Sequence, residues 1–156
     1  QQTAVALASA SNAQAQSARL QQQLADLQAT QTERGMLVTL GDVLFEFGRA
    51  EVKPGAQMAL RKLADFLQQN PNRRILVEGH TDSVGSKDAN NLLSRKRADA
   101  VVTALIAMGL DTARATTVGY GEDFPVADNL SDTNRALNRR VEVYISDSEK
   151  PVQPRR

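Results

Sequence analysis

The sequence predicts an α/β sandwich with a βαβαβ(α)β order: one mixed sheet, helices on one side, and a long helix preceding it. Strand patterns alternate with helical patterns between residues 35 and 145, as is typical of α/β folds. Composition also changes near Gly35, because residues 1–34 are rich in Gln and Ala and contain no Gly, Pro or aromatic residue. We therefore divide the chain into a helical linker or coiled coil (1–34), an α/β domain (35–148) and a disordered tail (149–156).

Bulk composition excludes several classes of protein. The chain has 156 residues and a formal net charge of +1, which argues against a dedicated nucleic-acid surface. It has no cysteine, so neither a disulfide framework nor a thiolate metal site can form. No apolar run approaches the roughly 20 residues that span a bilayer, and residues 1–34 lack the basic start and apolar centre of a signal peptide. We expect membrane contact only through an anchor outside this sequence.

The N-terminal helix shows a heptad pattern with two interpretations. Seven residues follow alternating steps of four and three: Ala6, Ala10, Ala13, Ser17, Leu20, Leu24 and Leu27. Only the leucine half is large enough to hold a partner helix, and the next two positions, Gln31 and Arg34, weaken the pattern. The segment is therefore either a solvated helical spacer or a coiled coil through which the chain associates with itself.

The first half of the α/β domain contains two strand patterns and one helix. Residues 36–40 and 43–47 have strand composition and are separated by Gly41 and Asp42, and residues 48–55 form a loop. Apolar residues then recur at helical spacing from Met58 to Leu67. We predict that this helix ends at residues 70–72, where Asn-Pro-Asn cannot continue it.

The second half repeats the alternation and closes the sheet. The apolar run at residues 75–77 indicates a strand buried on both faces, within a strand pattern that covers 74–80. The crossovers between strands predict parallel pairing with right-handed connections. The remaining predicted elements are a helix over 88–108, a strand over 116–121, a short helix over 133–138 and a strand over 140–145.

A charged site is predicted where the 74–80 strand meets the 88–108 helix. Asp82 follows the strand, and Arg97 lies about two turns into the helix. One helical stripe contains Asn90, Ser94, Arg97, Val101, Leu105 and Met108. Because the apolar half of this stripe must face the sheet, Arg97 should point towards the sheet's end. An acid and an arginine held there suit a ligand with an ammonium and a carboxylate. Alternatively, the two pair with each other or with neighbours and only hold the loop.

Other polar residues admit a functional and a structural interpretation. Glu78, His80 and Asp82 alternate along one strand face and could form a metal trio, although we expect a hydrogen-bonded histidine and no metal. Acid–base chemistry is conceivable there, but no nucleophile turn or second base stands out, so we expect no enzyme. Arg139 and Arg140 either form a salt bridge, with Glu78 or Glu142, or add to the positive field of the site.

Several separated motifs resemble the OmpA-like C-terminal domain, the family of peptidoglycan-associated lipoproteins and flagellar stator proteins. The resemblance covers roughly residues 40–146. Its motifs are Gly79-His80-Thr81-Asp82-Ser83-Val84-Gly85, Asn90, Leu93-Ser94, Arg97-Ala98, Gly119-Tyr120-Gly121-Glu122, Pro125 and Asn138-Arg139-Arg140-Val141-Glu142.

The resemblance implies a function and a set of site residues. It implies non-covalent binding of peptidoglycan through meso-diaminopimelate, without a cofactor, in the periplasm, where the domain tethers the outer membrane or an envelope complex to the wall. Asp82 and Arg97 are then the principal ligand residues and Asn90 a helper. The other candidate site residues are Thr81, Leu93, Ser94, Phe47 and Arg140. Phe47 either walls the pocket or belongs to the core, and Gly48 stands where many relatives have an aspartate.

Two other functions remain open at this stage. A protein-interaction role is favoured by the heptad pattern and is compatible with wall binding. A metal-dependent hydrolase acting on the wall is the second rival.

Overall fold

The computed structural model describes residues 18, 21–25, 27–41, 57–146 and 152. Five strands form one sheet: β1 (Thr30–Thr32), β2 (Gly35–Gly41), β3 (Ile75–His80), β4 (Ala115–Gly119) and β5 (Arg140–Ile145). Three α-helices accompany them: α1 (Gln57–Gln69), α2 (Lys87–Ala107) and α3 (Asp132–Asn138). A 3-10 turn over Thr112–Arg114 leads into β4.

The sheet has the strand order β1-β2-β5-β3-β4 and is mixed. β3 and β4 pair in parallel, as the crossover through α2 predicts. β5 lies between β2 and β3 and pairs antiparallel with both, so β2 and β3 are not neighbours. The strand predicted directly before the first helix, residues 43–47, lies outside the described residues, so the structure does not test the first predicted crossover. The final strand is apolar at every second residue, so it can be buried at the centre of the sheet. The sequence of connections alone does not reveal that insertion.

The core lies between one face of the sheet and the two long helices. Alternate strand residues such as Ile75, Val77 and Val143 pack against apolar side chains of α1 and α2. The contributing residues of the helices are Leu60, Leu63, Ala64, Phe66, Leu67, Ala98, Val101, Val102 and Leu105. The prediction of one mixed sheet with helices on one side is therefore confirmed. None of the described helices is both long and apolar enough to cross a membrane.

The N-terminal segment departs from the predicted continuous helix. Residues 21–25 are helical, but the chain turns at Gln28, which has a positive φ of 56°. Residues 30–32 then form β1, which pairs with β2, so the helix does not reach residue 34. Leu24 and Leu27 of the heptad pattern pack against the core of the domain itself. Residues 1–17 of the predicted helix lie outside the described residues.

Other predicted elements agree with the structure within a few residues. The helix predicted over 88–108 is α2, the short helix over 133–138 is α3, and the strand over 140–145 is β5. The second strand and the loop predicted between residues 43 and 55 lie outside the described residues, and so does Phe47. The structure describes only Val152 of the predicted disordered tail.

Candidate functional site

Two paired glycines bring α2 onto the ends of β3 and β4. Gly79 and Gly119 are register partners in these strands. A Cβ on Gly79 would lie 1.9 Å from the Ser94 carbonyl oxygen, and one on Gly119 would lie 2.5 Å from the Arg95 nitrogen. Only glycine fits such close contact with a helix backbone. The polar first half of α2 is therefore held against the carboxyl ends of the two strands.

A turn at Gly121 connects α2 to the loop that follows β3. Gly121 has a φ of 59°, and its N–H donates to the Ser94 hydroxyl oxygen at 2.9 Å. The Thr81 N–H in turn donates to the Gly121 carbonyl at 2.8 Å. Ser94 is fully buried, and its hydroxyl also donates to the Asn91 carbonyl at 2.9 Å. The structure therefore gives Ser94 a bridging position between α2 and the turn, and Thr81 a position in the frame beside Asp82.

Asp82 is buried at the end of β3, with both carboxylate oxygens in contact with the protein. The Val84 N–H donates to Oδ1 at 2.9 Å, and Arg139 Nη1 donates to Oδ2 at 2.7 Å. The Asn90 side chain donates to the Asp82 backbone carbonyl at 3.2 Å, which ties the first turn of α2 to the same loop. The structure thus brings Asn90 into contact with the backbone of Asp82.

Arg97 lies two turns further along α2 on the stripe that contains Asn90 and Ser94. Only 3% of the residue is exposed, so Arg97 lies on the buried side of the helix, as its position on the stripe predicts. Leu93 is half-buried on the same helix. The N-terminus of α2 is capped by Ser86, whose hydroxyl oxygen accepts from the Ala89 N–H at 3.1 Å.

The two arginines at the start of β5 have different partners. Arg140 is buried and donates to Glu142 Oε1 at 3.0 Å and to the carbonyls of Asn138 and Phe124. The salt-bridge interpretation therefore applies to Arg140, which pairs with Glu142. None of these contacts involves Asp82, so none of them supports the predicted role of Arg140 in ligand binding. Sequence reasoning missed Arg139 as the partner of Asp82. Strand alternation gives no signal for this pair, because Asp82 follows β3 and Arg139 precedes β5, so both residues lie outside the strands.

A buried charged cluster lies on the sheet face opposite the helices. His80 Nε2 is 3.7 Å from Glu78 Oε1 and 3.6 Å from Glu142 Oε2. Asp82, which the sequence suggested as the third member of a metal trio, points instead to Arg139. Arg34 pairs with Glu78 and Arg140 with Glu142, so both carboxylates are already neutralised by protein cations. The charges of the two glutamates and the two arginines therefore balance. Within the part of the chain that the structure describes, neither ring nitrogen of buried His80 has a hydrogen-bond partner, so the expectation of a hydrogen-bonded histidine is wrong.

Counter-charges explain why two glutamates can face each other across the sheet. Glu78 and Glu142 are directly opposite in the β3–β5 register, an arrangement that is destabilising for unpartnered like charges. Burial raises the pKa of the Glu142 carboxyl, but neighbouring His80 and Arg140 lower it more strongly, so that its pKa lies at about 2. Glu142 is therefore ionised at neutral pH.

Asn138 holds the loop before α3 in place. The sequence analysis included it in a family motif but did not single it out as a site residue. It is fully buried; its Oδ1 accepts from the N–H groups of Val126 and Ala127, and its Nδ2 donates to Ala127 O and Asn129 Oδ1. Asn129 Oδ1 also accepts from the Ser83 N–H at 3.3 Å. The loop before α3 is thereby connected to the loop that contains Asp82.

The protein is thus an α/β domain with one mixed sheet and with a charged candidate site where the end of β3 meets α2. The family model described as the OmpA family matches residues 44–139, so the chain belongs to the OmpA family. The resemblance seen in the sequence is thereby confirmed.

The similar proteins include outer membrane and cell-wall-associated proteins of several bacteria. Outer membrane porin F of Pseudomonas fluorescens is 46% identical over 104 residues, which are 67% of this chain and 32% of the porin. The chain therefore spans about a third of the length of that relative. Among solved structures, the cell wall anchor of the T6SS from Pseudomonas aeruginosa is 33% identical with a TM-score of 0.72, covering 83% of this chain and 97% of that one. The peptidoglycan-associated lipoprotein from Burkholderia pseudomallei is 32% identical with a TM-score of 0.64, covering 69% and 89%.

Proposed function

We propose that this domain binds peptidoglycan non-covalently and holds an outer-membrane or envelope component to the cell wall from the periplasmic side. One observation carries the proposal: an aspartate and an arginine, each about 95% buried or more, flank the junction between β3 and α2. Support also comes from matched structures described as a peptidoglycan-associated lipoprotein and a cell wall anchor. The role is binding, and no residue of the site is assigned a catalytic step.

The ligand group is the free end of meso-diaminopimelate in the stem peptide, which has both an ammonium and a carboxylate. Asp82 accepts hydrogen bonds from the ammonium, and the planar fork of Arg97 binds the carboxylate. Helical side chains lean towards the N-terminus of their helix, so we expect the Arg97 side chain to extend back along α2 towards Asn90. Each charge-assisted bond contributes roughly 1.5–3 kcal/mol.

The remaining site residues support these two. Asn90 and Thr81 hold the Asp82 loop through their contacts with its backbone. Ser94 holds α2 on the glycine turn, and half-buried Leu93 offers apolar surface for the methylene chain of the ligand. These roles are in addition to any direct contact that the residues make with the ligand.

Replacing Arg97 by Ala tests the proposal. We expect binding to purified sacculi to weaken about tenfold or more, because the loss of one charge-assisted bond exceeds the 1.4 kcal/mol that corresponds to a tenfold change. The measurement is a sacculus pull-down over a range of protein concentrations. Lys96→Ala is the matched control, since it removes a cation from the exposed face one position away.

The same pull-down identifies the result that would contradict the proposal. Equal retention of the wild type and the Arg97→Ala variant, with both chains folded by circular dichroism, would remove Arg97 from the site. Sacculi with lysine in place of diaminopimelate lack the terminal carboxylate and should retain less of the wild-type chain. Similar retention on both kinds of sacculi would contradict the assignment of the ligand group.

A further inference from the structure

His80 belongs to a buried group of side chains that are able to bind a metal ion. It is the only histidine of the sequence, and its side chain is fully buried. One ligand atom each of Glu78, His80 and Glu142 lies within 4.8 Å of the other two. Among the described residues, neither ring nitrogen of His80 has a hydrogen-bond partner. A buried polar group without a partner requires an explanation, and a bound ion is one that places its partner in the interior.

The spacing of the three side chains fits a tetrahedral zinc site. His80 Nε2 is 3.7 Å from Glu78 Oε1 and 3.6 Å from Glu142 Oε2. These distances are too long for hydrogen bonds. Zinc bonds of about 2.0–2.2 Å to nitrogen and carboxylate oxygen place neighbouring ligand atoms of a tetrahedron about 3.3–3.6 Å apart. A small movement of the side chains therefore brings all three ligand atoms around one ion.

The two arginines of the cluster affect an ion differently. Arg140 Nε donates to Glu142 Oε1 at 3.0 Å, whereas Oε2 of the same carboxylate faces His80. Such a hydrogen bond to the second oxygen commonly orients a carboxylate that binds metal. Arg34 contacts both oxygens of Glu78, with Nη1 3.5 Å from Oε1, and its side chain is 24% exposed. Arg34 therefore competes with an ion for Glu78, and it can withdraw to solvent when the ion binds, which removes a repelling charge.

We propose that Glu78, His80 and Glu142 form a zinc site in which they supply three ligands and a water completes the tetrahedron. An imidazole with two carboxylates suits Zn²⁺ better than Mg²⁺, which prefers oxygen ligands alone. Glu142 takes the place that Asp82 has in the trio suggested by the sequence. The ion connects β3 to β5, and the proposal stands independently of wall binding.

Isothermal titration calorimetry of the full, untagged chain, stripped of metal with EDTA and dialysed, tests the site. Added ZnCl₂ should bind saturably at neutral pH with one ion per chain, whereas MgCl₂ at the same concentrations should not bind. His80→Ala should weaken zinc binding about tenfold or more, because it removes a ligand. Asp65→Asn removes an exposed carboxylate of α1 and should leave zinc binding unchanged. A wild type that binds no zinc, or a folded His80→Ala variant that binds it equally well, would overturn the proposal.

Arg34→Gln distinguishes a zinc site from a purely structural charge cluster. Because the Arg34 side chain is partly exposed, its replacement leaves no buried cavity. The loss of the competing cation should tighten zinc binding about tenfold, a gain that a merely structural role of the cluster does not predict. Arg34→Lys keeps the charge and should bind zinc as the wild type does. An unchanged affinity of Arg34→Gln would overturn the assignment of Glu78 as a ligand.

A measurement on the wild-type chain covers the case in which His80→Ala does not fold. Because His80 is the only histidine, the ring-nitrogen NMR resonances of the untagged chain belong to it without further assignment. They should shift until one equivalent of ZnCl₂ has been added and return when EDTA removes the ion. Ring resonances that stay constant while calorimetry records zinc binding would place the ion elsewhere and overturn the proposal.

Discussion

Polar side chains that are buried at the rim of the sheet define the shape of the candidate site. Asp82, Asn90, Ser94 and Asn138 each have specific hydrogen-bond partners in loops that no regular ladder supports. A buried polar group without its partner costs about 1–3 kcal/mol, so these contacts fix the loops strongly. Removing one of these hydrogen-bond partners should therefore lower the stability of the domain measurably.

Asn138→Ala should lower the free energy of unfolding by about 2–3 kcal/mol. The substitution removes four hydrogen bonds and leaves the buried N–H groups of Val126 and Ala127 without their acceptor. Urea unfolding followed by circular dichroism measures the change. Asn134→Ala, on the same helix, removes only a surface contact with Asp128 and should cost about 0.5 kcal/mol or less. Equal losses for the two variants would contradict the structural role of Asn138.

Glu142→Gln should make stability less dependent on pH in the acid range. The folded-state pKa of Glu142 is about 2, below its ordinary value of 4.5. A lowered carboxyl pKa stabilises the folded state above about pH 4.5, and this contribution is lost as the pH falls through about 2. Urea unfolding at a series of pH values should therefore give a shallower decline for the variant than for the wild type.

The control for this pH series is Asp65→Asn on the exposed face of α1. It removes a carboxylate without touching Glu78, His80, Arg34 or Arg140, so its pH profile should follow the wild type. A Glu142→Gln profile parallel to both would show that the buried cluster does not lower the Glu142 pKa.

At the scale of elements, the contact between α2 and the ends of β3 and β4 positions the site. The sequence predicted all three elements, because apolar periodicity and glycine punctuation are local signals. It did not predict that Gly79 and Gly119 face each other beneath the helix, since the pairing register depends on both strands. The sequence predicted the residues of β5 correctly. It did not predict that β5 lies between β2 and β3, because that pairing also depends on residues distant in sequence.

Gly79→Ala should destabilise the domain by about 3 kcal/mol and weaken sacculus binding. The added Cβ would lie 1.9 Å from the Ser94 carbonyl, so α2 must move away from the strand ends. Thermal and urea unfolding measure the first effect, and the pull-down measures the second. Gly41→Ala is the matched control because nothing lies within 4 Å of its added Cβ. If Gly79→Ala keeps the stability and the sacculus binding of the wild type, the tight packing of α2 against the strands is contradicted.

At the scale of the whole molecule, part of the N-terminal segment belongs to the folded domain. Leu24 and Leu27 pack against the core, and β1 extends the sheet by one strand. The heptad pattern suggested that the same leucines hold a partner helix. Self-association through the N-terminal segment, residues 1–34, stays a prediction, but these two leucines already have an intramolecular role.

Leu27→Ala should lower the free energy of unfolding by about 1–2 kcal/mol at every protein concentration. The residue is partly buried against its own domain, so its loss exposes a site within one chain. Urea unfolding at two concentrations a hundredfold apart is the measurement, with Gln21→Ala at an exposed neighbouring position as the control. A loss that grows with protein concentration would instead indicate that Leu27 lies in an interface between chains.

The amino-acid pattern alone determined the kinds and order of most described elements, the glycine-rich motifs, the family, and the aspartate and arginine proposed for the site. These features depend on neighbours in sequence, whose spacing reveals helices, strands and turns. Only the tertiary structure revealed that β5 separates β2 from β3, that Arg139 pairs with Asp82, and that Leu27 joins the core. Those contacts join residues distant in sequence, and which of several compatible partners a residue meets is settled by the packing of the whole chain.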